Sequence, residues 1–221
     1  MNRVSALLAG LTLFVATAVP ASADVLFSQT PTNTTNWLSQ TASGSSGYNQ
    51  VYDNFIIGAG GTVTTVDWTG LMFPSTGVVN DFTISFYNDS GSDTPGTLIS
   101  SLNIAGDANQ TEVGTHGSFT IFDYSASVPF TAAPGTQYWI SILADAPDTL
   151  WGWSSSTGLD SNMFQAGNDS VLEPVATDVA FTLLNSSPVP EPSSLTLVGS
   201  GVLALAGFAR RRFARRRFAR R

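Results

Sequence analysis

The stretch Asp81-Phe82-Thr83-Ile84-Ser85-Phe86-Tyr87-Asn88 alternates apolar and polar side chains along its whole length. Phe82, Ile84 and Phe86 fall on one face, and Thr83, Ser85 and Tyr87 on the other. That is the period of a half-buried β-strand. The polar run from Asn88 through Asp89 and Asp93 to Gly96 predicts a long loop after it. Beyond the loop, Leu98, Ser100, Leu102 and Ile104 share a face of the next strand. Upstream, residues 51–57 and 62–68 read as strands joined by the turn Gly58-Ala59-Gly60-Gly61. Downstream, residues 118–124, 137–143 and the Trp-rich 150–154 read the same way. Residues 179–184 close the series with Val179, Phe181 and Leu183 in phase. Residues 24–47 form a loose Ser/Thr/Asn/Gly lead-in with one strand at 25–28. Eight or nine short strands without an amphipathic helix predict an all-β fold, a two-sheet antiparallel β-sandwich of jelly-roll-like kind. The last strand is expected to lie near the first.

The charges are distributed unevenly. All nine basic residues are arginines, Arg3 and eight from Arg210 to Arg221, and fifteen of the sixteen acidic residues lie between Asp24 and Asp178. The body therefore carries no cation at all. A surface without cations cannot neutralise phosphates, which excludes nucleic-acid binding and disfavours adhesion to anionic lipid. The absence of cysteine removes disulfides, thiol nucleophiles and thiolate metal sites together.

Both ends read as targeting segments. Residues 1–23 have the parts of a secretory signal: Arg3, an apolar run over 4–19, and the small-residue site Ala21-Ser22-Ala23. Cleavage by signal peptidase after Ala23 would make Asp24 the new N-terminus, with a retained N-terminal anchor as the alternative. Residues 24–187 are enough for one domain with a sizeable core. The remainder, 188–221, falls into three parts. Residues 188–194 hold the linker Pro188-Val189-Pro190-Glu191-Pro192, whose prolines fix φ and remove amide donors. Residues 195–209 are uncharged and would span roughly 22 Å as a helix. That is short against a hydrocarbon core of about 30 Å and by length alone also suits a buried core helix. The arginines that follow, Arg210, Arg211 and Arg212 first, argue instead for a transmembrane helix with a cytoplasmic stop over 210–221.

The order of Val189-Pro190-Glu191-Pro192, a short Gly/Ala/Leu-rich span and a terminal arginine cluster resembles the PEP-CTERM sorting signal of Gram-negative bacteria. The resemblance implies export, transient anchoring in the inner membrane with the domain in the periplasm, and processing at Pro-Glu-Pro by exosortase. It further implies release to the outer surface or extracellular matrix, alongside polysaccharide and biofilm production. The body is similar to a β-sandwich common among PEP-CTERM proteins, through Tyr52-Asp53-Asn54-Phe55, Val66-Asp67-Trp68-Thr69-Gly70, Thr94-Pro95-Gly96-Thr97-Leu98 and Gly135-Thr136-Gln137-Tyr138-Trp139-Ile140.

Chemistry is sparse. His116 is the single histidine, in a glycine-flanked turn, and no Gly-x-Ser-x-Gly nucleophile elbow accompanies it. Paired carboxylates are the other route to a hydrolase, but the body has just two glutamates, Glu112 and Glu173. Asn88, Asp89 and Asp93 are a candidate calcium loop, without the Asp-x-Asp-x-Asp-Gly pattern, so ordinary turn chemistry explains them as well. Tyr138, Trp139, Trp151 and Trp153 are candidates to stack on glycan rings or to pack the core. The expectation is a structural or adhesive surface component that is not an enzyme and needs no cofactor, with a carbohydrate-binding module as the alternative.

Overall fold

The computed structural model describes residues 23–41, 47–158 and 160–185. The expected span, the arginine tail, the Pro-Glu-Pro motif and the signal segment up to Ala21 and Ser22 lie outside these residues. Among the described residues no helix is long and apolar enough to cross a membrane.

The described residues form fourteen strands: β1 (Asp24–Ser28), β2 (Pro31–Leu38), β3 (Gln50–Ile56), β4 (Gly61–Phe73), β5 (Asp81–Asp89), β6 (Pro95–Ala105), β7 (Thr111–His116), β8 (Phe119–Ala132), β9 (Gln137–Asp145), β10 (Leu150–Ser156), β11 (Met163–Ala166), β12 (Leu172–Val175), β13 (Asp178–Val179) and β14 (Phe181–Asn185). They form two antiparallel sheets. The six-stranded sheet runs β12-β11-β3-β9-β5-β6. The eight-stranded sheet is built on β4, which pairs β8 along one edge and β14 and β10 along the other. β1, β2, β7 and β13 extend it outward. Hairpins β5–β6, β7–β8 and β11–β12 stay within one sheet, and most other connections cross between sheets. The all-β, two-sheet sandwich expected from alternation is the observed fold.

The expected strands are present, but several run longer, and the one expected over 179–184 is divided at Ala180 between β13, which pairs β10, and β14, which pairs β4. β8 continues past Tyr124 to Ala132 and through Pro129. A register shift makes this possible: Val63 faces Phe130 while Thr65 faces Ser127, so β8 carries one extra residue there. A bulge needs no ladder donor at that point, which is where proline is tolerated. The lead-in is not loose, because β2 pairs β10 with Trp37 opposite Trp153. The expected common face of Leu98, Ser100, Leu102 and Ile104 is interrupted. Ser100, Leu102 and Ile104 stand opposite Phe86, Ile84 and Phe82, but a shift at Ile99 sets Leu98 opposite Tyr87. β6 is also the sheet edge, so Leu98 remains 51% and Leu102 38% exposed.

Between the sheets lies an aromatic core. Trp68 stacks on Tyr124 at 5.4 Å, and Phe82 meets Trp68, Tyr124 and Trp151 at 5.1, 5.0 and 5.2 Å. Phe86 stacks on Phe130 at 4.2 Å, and Phe55 meets Phe181 at 6.3 Å. The first and last strands pair directly, Asp24 opposite Asn185. The two ends of the sandwich are therefore neighbours.

Candidate functional site

Alternation puts Trp151 and Trp153 on the inward face of β10, and both are fully buried. Each indole N–H is satisfied inside: Trp151 Nε1 donates to Tyr124 Oη at 3.2 Å and Trp153 Nε1 to the Ala180 carbonyl at 2.8 Å. Trp139 lies on the opposite sheet, also fully buried, with its ring 5.5 Å from Phe164 and Nε1 donating to Asp89 Oδ1 at 3.1 Å. Tyr138 is half-buried against Phe55 and Phe130, and its hydroxyl accepts from Ala133 N at 3.2 Å. The glycan-platform reading of Trp139, Trp151 and Trp153 is thus corrected. These rings fill the sandwich and its flank, and none presents a face to solvent.

The calcium candidates are engaged by the protein itself. Asn88 Oδ1 accepts from Thr97 N at 2.5 Å, and Asp89 accepts from Trp139 Nε1 and, at 2.7 Å, from Gly91 N. Asp93 accepts from Gln137 Nε2 at 2.6 Å and Asn162 Nδ2 at 2.8 Å. Among the described residues no three acidic or histidine side chains converge to hold a metal. His116 ends β7 in the open. Glu112 and Glu173 lie on β7 and β12, strands of different sheets.

What the sheets do bring together was not visible along the chain. The outer face of the eight-stranded sheet carries a cleft of about 380 Å³ lined by Asp67, Thr69, Thr111, Asp123, Ser125 and Thr182, among others. Cross-strand register assembles two rows there. Ser28, Thr182, Asp67 and Ser125 stand in line across β1, β14, β4 and β8, and Thr69, Asp123 and Thr111 across β4, β8 and β7. Ser125 Oγ donates to Asp67 Oδ1 at 2.6 Å, and Thr69 Oγ1 to Asp123 Oδ1 at 2.7 Å. The rows offer hydroxyls and carboxylates to a hydroxylated ligand. A serine hydrogen-bonded to a carboxylate without an imidazole is not an activated nucleophile. Alternation around Trp68 and Tyr124 marks these residues as outward in each strand, but their alignment depends on register.

A second cluster is buried where the sheets close. Asp53 on β3 accepts from Asn54 N and from Val179 N, both at 2.8 Å, tying one sheet to the other. With its nitrogen turned inward, the Gln29 amide donates to Val179 O at 2.6 Å and Asp53 Oδ2 at 3.1 Å. Burial pushes the Asp53 carboxyl well above the ordinary value, and the negative charges of Asp178 and Asp160 push it further. The two backbone N–H groups oppose the rise. Asp160 is also raised, by burial first, and shares a hydrogen bond with Asp178. Asp178 accepts from Ser161 N and Asn162 N at 3.2 and 3.0 Å. This is a clasp between sheets.

Residues 188–217 match the family model described as the PEP-CTERM protein-sorting motif. No curated protein matches the chain. The motif implies exosortase-dependent sorting to the cell surface, with export and membrane anchoring before cleavage.

Proposed function

We propose that the chain is a non-enzymatic surface protein whose sandwich serves as a structural or adhesive component of extracellular polysaccharide or biofilm. The sorting motif at residues 188–217 carries this reading. Signal peptidase would cut after Ala23, directly before the first residue of β1. Exosortase would act at Val189-Pro190-Glu191-Pro192 while residues 195–209 sit in the inner membrane of a Gram-negative cell and Arg210, Arg211 and Arg212 hold the cytoplasmic side. The pairing of Asp24 with Asn185 supports this route, because the residue freed by the first cut lies beside the strand that leads to the second. The cation-free body fits a matrix of sugars better than one of nucleic acid.

The test is intact mass and location of the protein from its native host, with Pro190-Glu191-Pro192 intact or changed to alanines. A mature form lacking residues 1–23 and everything beyond the Pro-Glu-Pro site, found outside the inner membrane, is expected for the intact motif alone. A full C-terminus retained in the inner membrane would sink the sorting route. Depletion of the protein should also weaken cell aggregation, and unchanged aggregation would remove the adhesive role.

A further inference from the structure

The outer face of the six-stranded sheet carries a smaller pocket, about 210 Å³, in which three of the five tyrosines meet. Tyr52 projects from β3 and Tyr87 from β5, and their rings stand edge to face at 5.4 Å. Tyr48 arrives from the segment before β3, where its backbone N–H donates to Asn168 Oδ1 at 2.9 Å. The Gln50 amide is held at both ends. Its oxygen accepts from the Tyr48 hydroxyl, and its nitrogen donates to Ser141 Oγ at 2.9 Å and Tyr87 Oη at 3.4 Å. Leu172 on β12 and Pro95 and Gly96 at the start of β6 contribute to the lining. Gly96 is required there, because a Cβ at that position would lie 2.6 Å from Asn88 Oδ1 and 2.9 Å from the Asn88 carbonyl oxygen.

We infer that this pocket binds one uncharged sugar ring of a neutral glycan. Its size is below the roughly 300–1,000 Å³ of sites that enclose drug-sized ligands, so it suits a single ring with the chain continuing outside. Half-buried tyrosine faces take the C–H face of a pyranose, and the phenolic oxygens with the open lone pair of Gln50 Oε1 take its hydroxyl groups. The charge pattern selects against other ligands. No residue lining the pocket is an acid or a base. Burial raises Tyr48 and Tyr52 above the ordinary phenol range, so both stay neutral. The body holds no lysine or arginine to meet a uronate, sulfate or phosphate, and its net negative charge repels them. A cation would find aromatic faces but no carboxylate in the lining. Serving an adhesive surface protein in this way rests on the reading above. The binding itself does not, since altering Pro190-Glu191-Pro192 would abolish sorting and leave the pocket untouched.

The experiment uses the full-length protein in a polyoxyethylene detergent, because an alkyl glycoside would itself present a sugar. Neutral gluco-, galacto- and manno-oligosaccharides are titrated by calorimetry and saturation-transfer NMR, with polygalacturonate and choline as charged comparisons. Binding to at least one neutral series is expected. Tyr87→Ala should weaken it about tenfold or more, as expected for loss of an aromatic anchor, while Tyr52→Phe keeps it within about threefold because the ring remains. Leu172→Trp should block it by occupying the pocket without removing any tyrosine, and unfolding midpoints show that each variant is folded. No binding to any neutral series, equal binding by Tyr87→Ala and Leu172→Trp, or preference for polygalacturonate or choline would each overturn the inference.

Discussion

Gly70 shows how one missing side chain sets the core. It stands opposite Phe122 and beneath Trp151, and a Cβ there would lie 2.5 Å from the Trp151 indole nitrogen. That ring has little freedom to yield, since its N–H donates to Tyr124 and its edge meets Phe82. Gly70→Ala is therefore expected to destabilise the protein by about 2 kcal/mol through overpacking. Gly58, whose Cβ would meet nothing within 4 Å, should accept alanine with no loss. Urea unfolding of the two variants checks this, and equal midpoints for both would refute it. The same residues show what sequence alone conveys. Alternation across Gly152 put Trp151 and Trp153 on one face correctly, but alternation does not say whether a face meets another sheet or water. The three tyrosines escaped notice for a different reason. Tyr48 and Tyr52 sit near each other in the chain, but Tyr87 is distant and joins them only through the order β3-β9-β5.

Strands are readable where one face is apolar along its length and illegible where too few apolar side chains turn inward to show a period. β5 was found nearly to its ends because Phe82, Ile84 and Phe86 must all turn inward. β2, β7, β11 and β12 were not found, and the reason is visible in their residues. β2 is rich in Thr and Asn, β7 is largely exposed, and β11 and β12 are four residues each. Backbone pairing places β7, while the others bury too few side chains to show a period: Trp37 on β2, Met163 and Phe164 on β11, and Val175 on β12. The pairing of the last strand with the first was anticipated, and Phe27 gives it tertiary weight. Its ring stacks on Phe181 at 5.2 Å and tilts against Phe55 at 5.9 Å, so β1 contacts both sheets through one side chain. Phe27→Ala is expected to cost about 2 kcal/mol, below the usual 3–5 for a fully buried phenylalanine because this ring is only partly buried. Hydrogen exchange should then show β1 and β14 opening before the rest of the sandwich. Protection unchanged in both strands would mean that β1 is an appendage, not part of the fold.

For the whole molecule, the absence of any cation in the body reverses the usual dependence of stability on pH. In most proteins carboxylates gain partners on folding, their pKa values fall, and acid destabilises. Here the carboxyls of Asp53 and Asp160 are both shifted upward. Asp53 is raised well above 3.8 by burial, with Asp178 and Asp160 adding to the effect, and Asp160 is raised as well. A raised folded pKa means that the folded state binds more protons than the unfolded chain between the two values, so stability declines as pH rises across that window. The contribution is fully present below the unfolded value and is lost as pH passes the folded one. Self-repulsion among fifteen acidic side chains without a lysine or arginine works in the same direction. The thermal midpoint of the protein should therefore fall from about pH 4 toward neutrality, as the ordinary carboxylate value marks the lower edge. Salt should recover part of the loss at pH 7 by screening the surface charges, and little of the part due to Asp53, which is buried. Asp53→Asn separates the two contributions. It removes the titrating group and flattens the slope, yet it lowers stability at the acid end, because an amide has a single oxygen to accept from Asn54 N and Val179 N. A midpoint that rises steadily from pH 4 to pH 7 in wild type would show that the clasp is not protonated on folding, and a variant slope equal to that of wild type would place the whole effect on the surface.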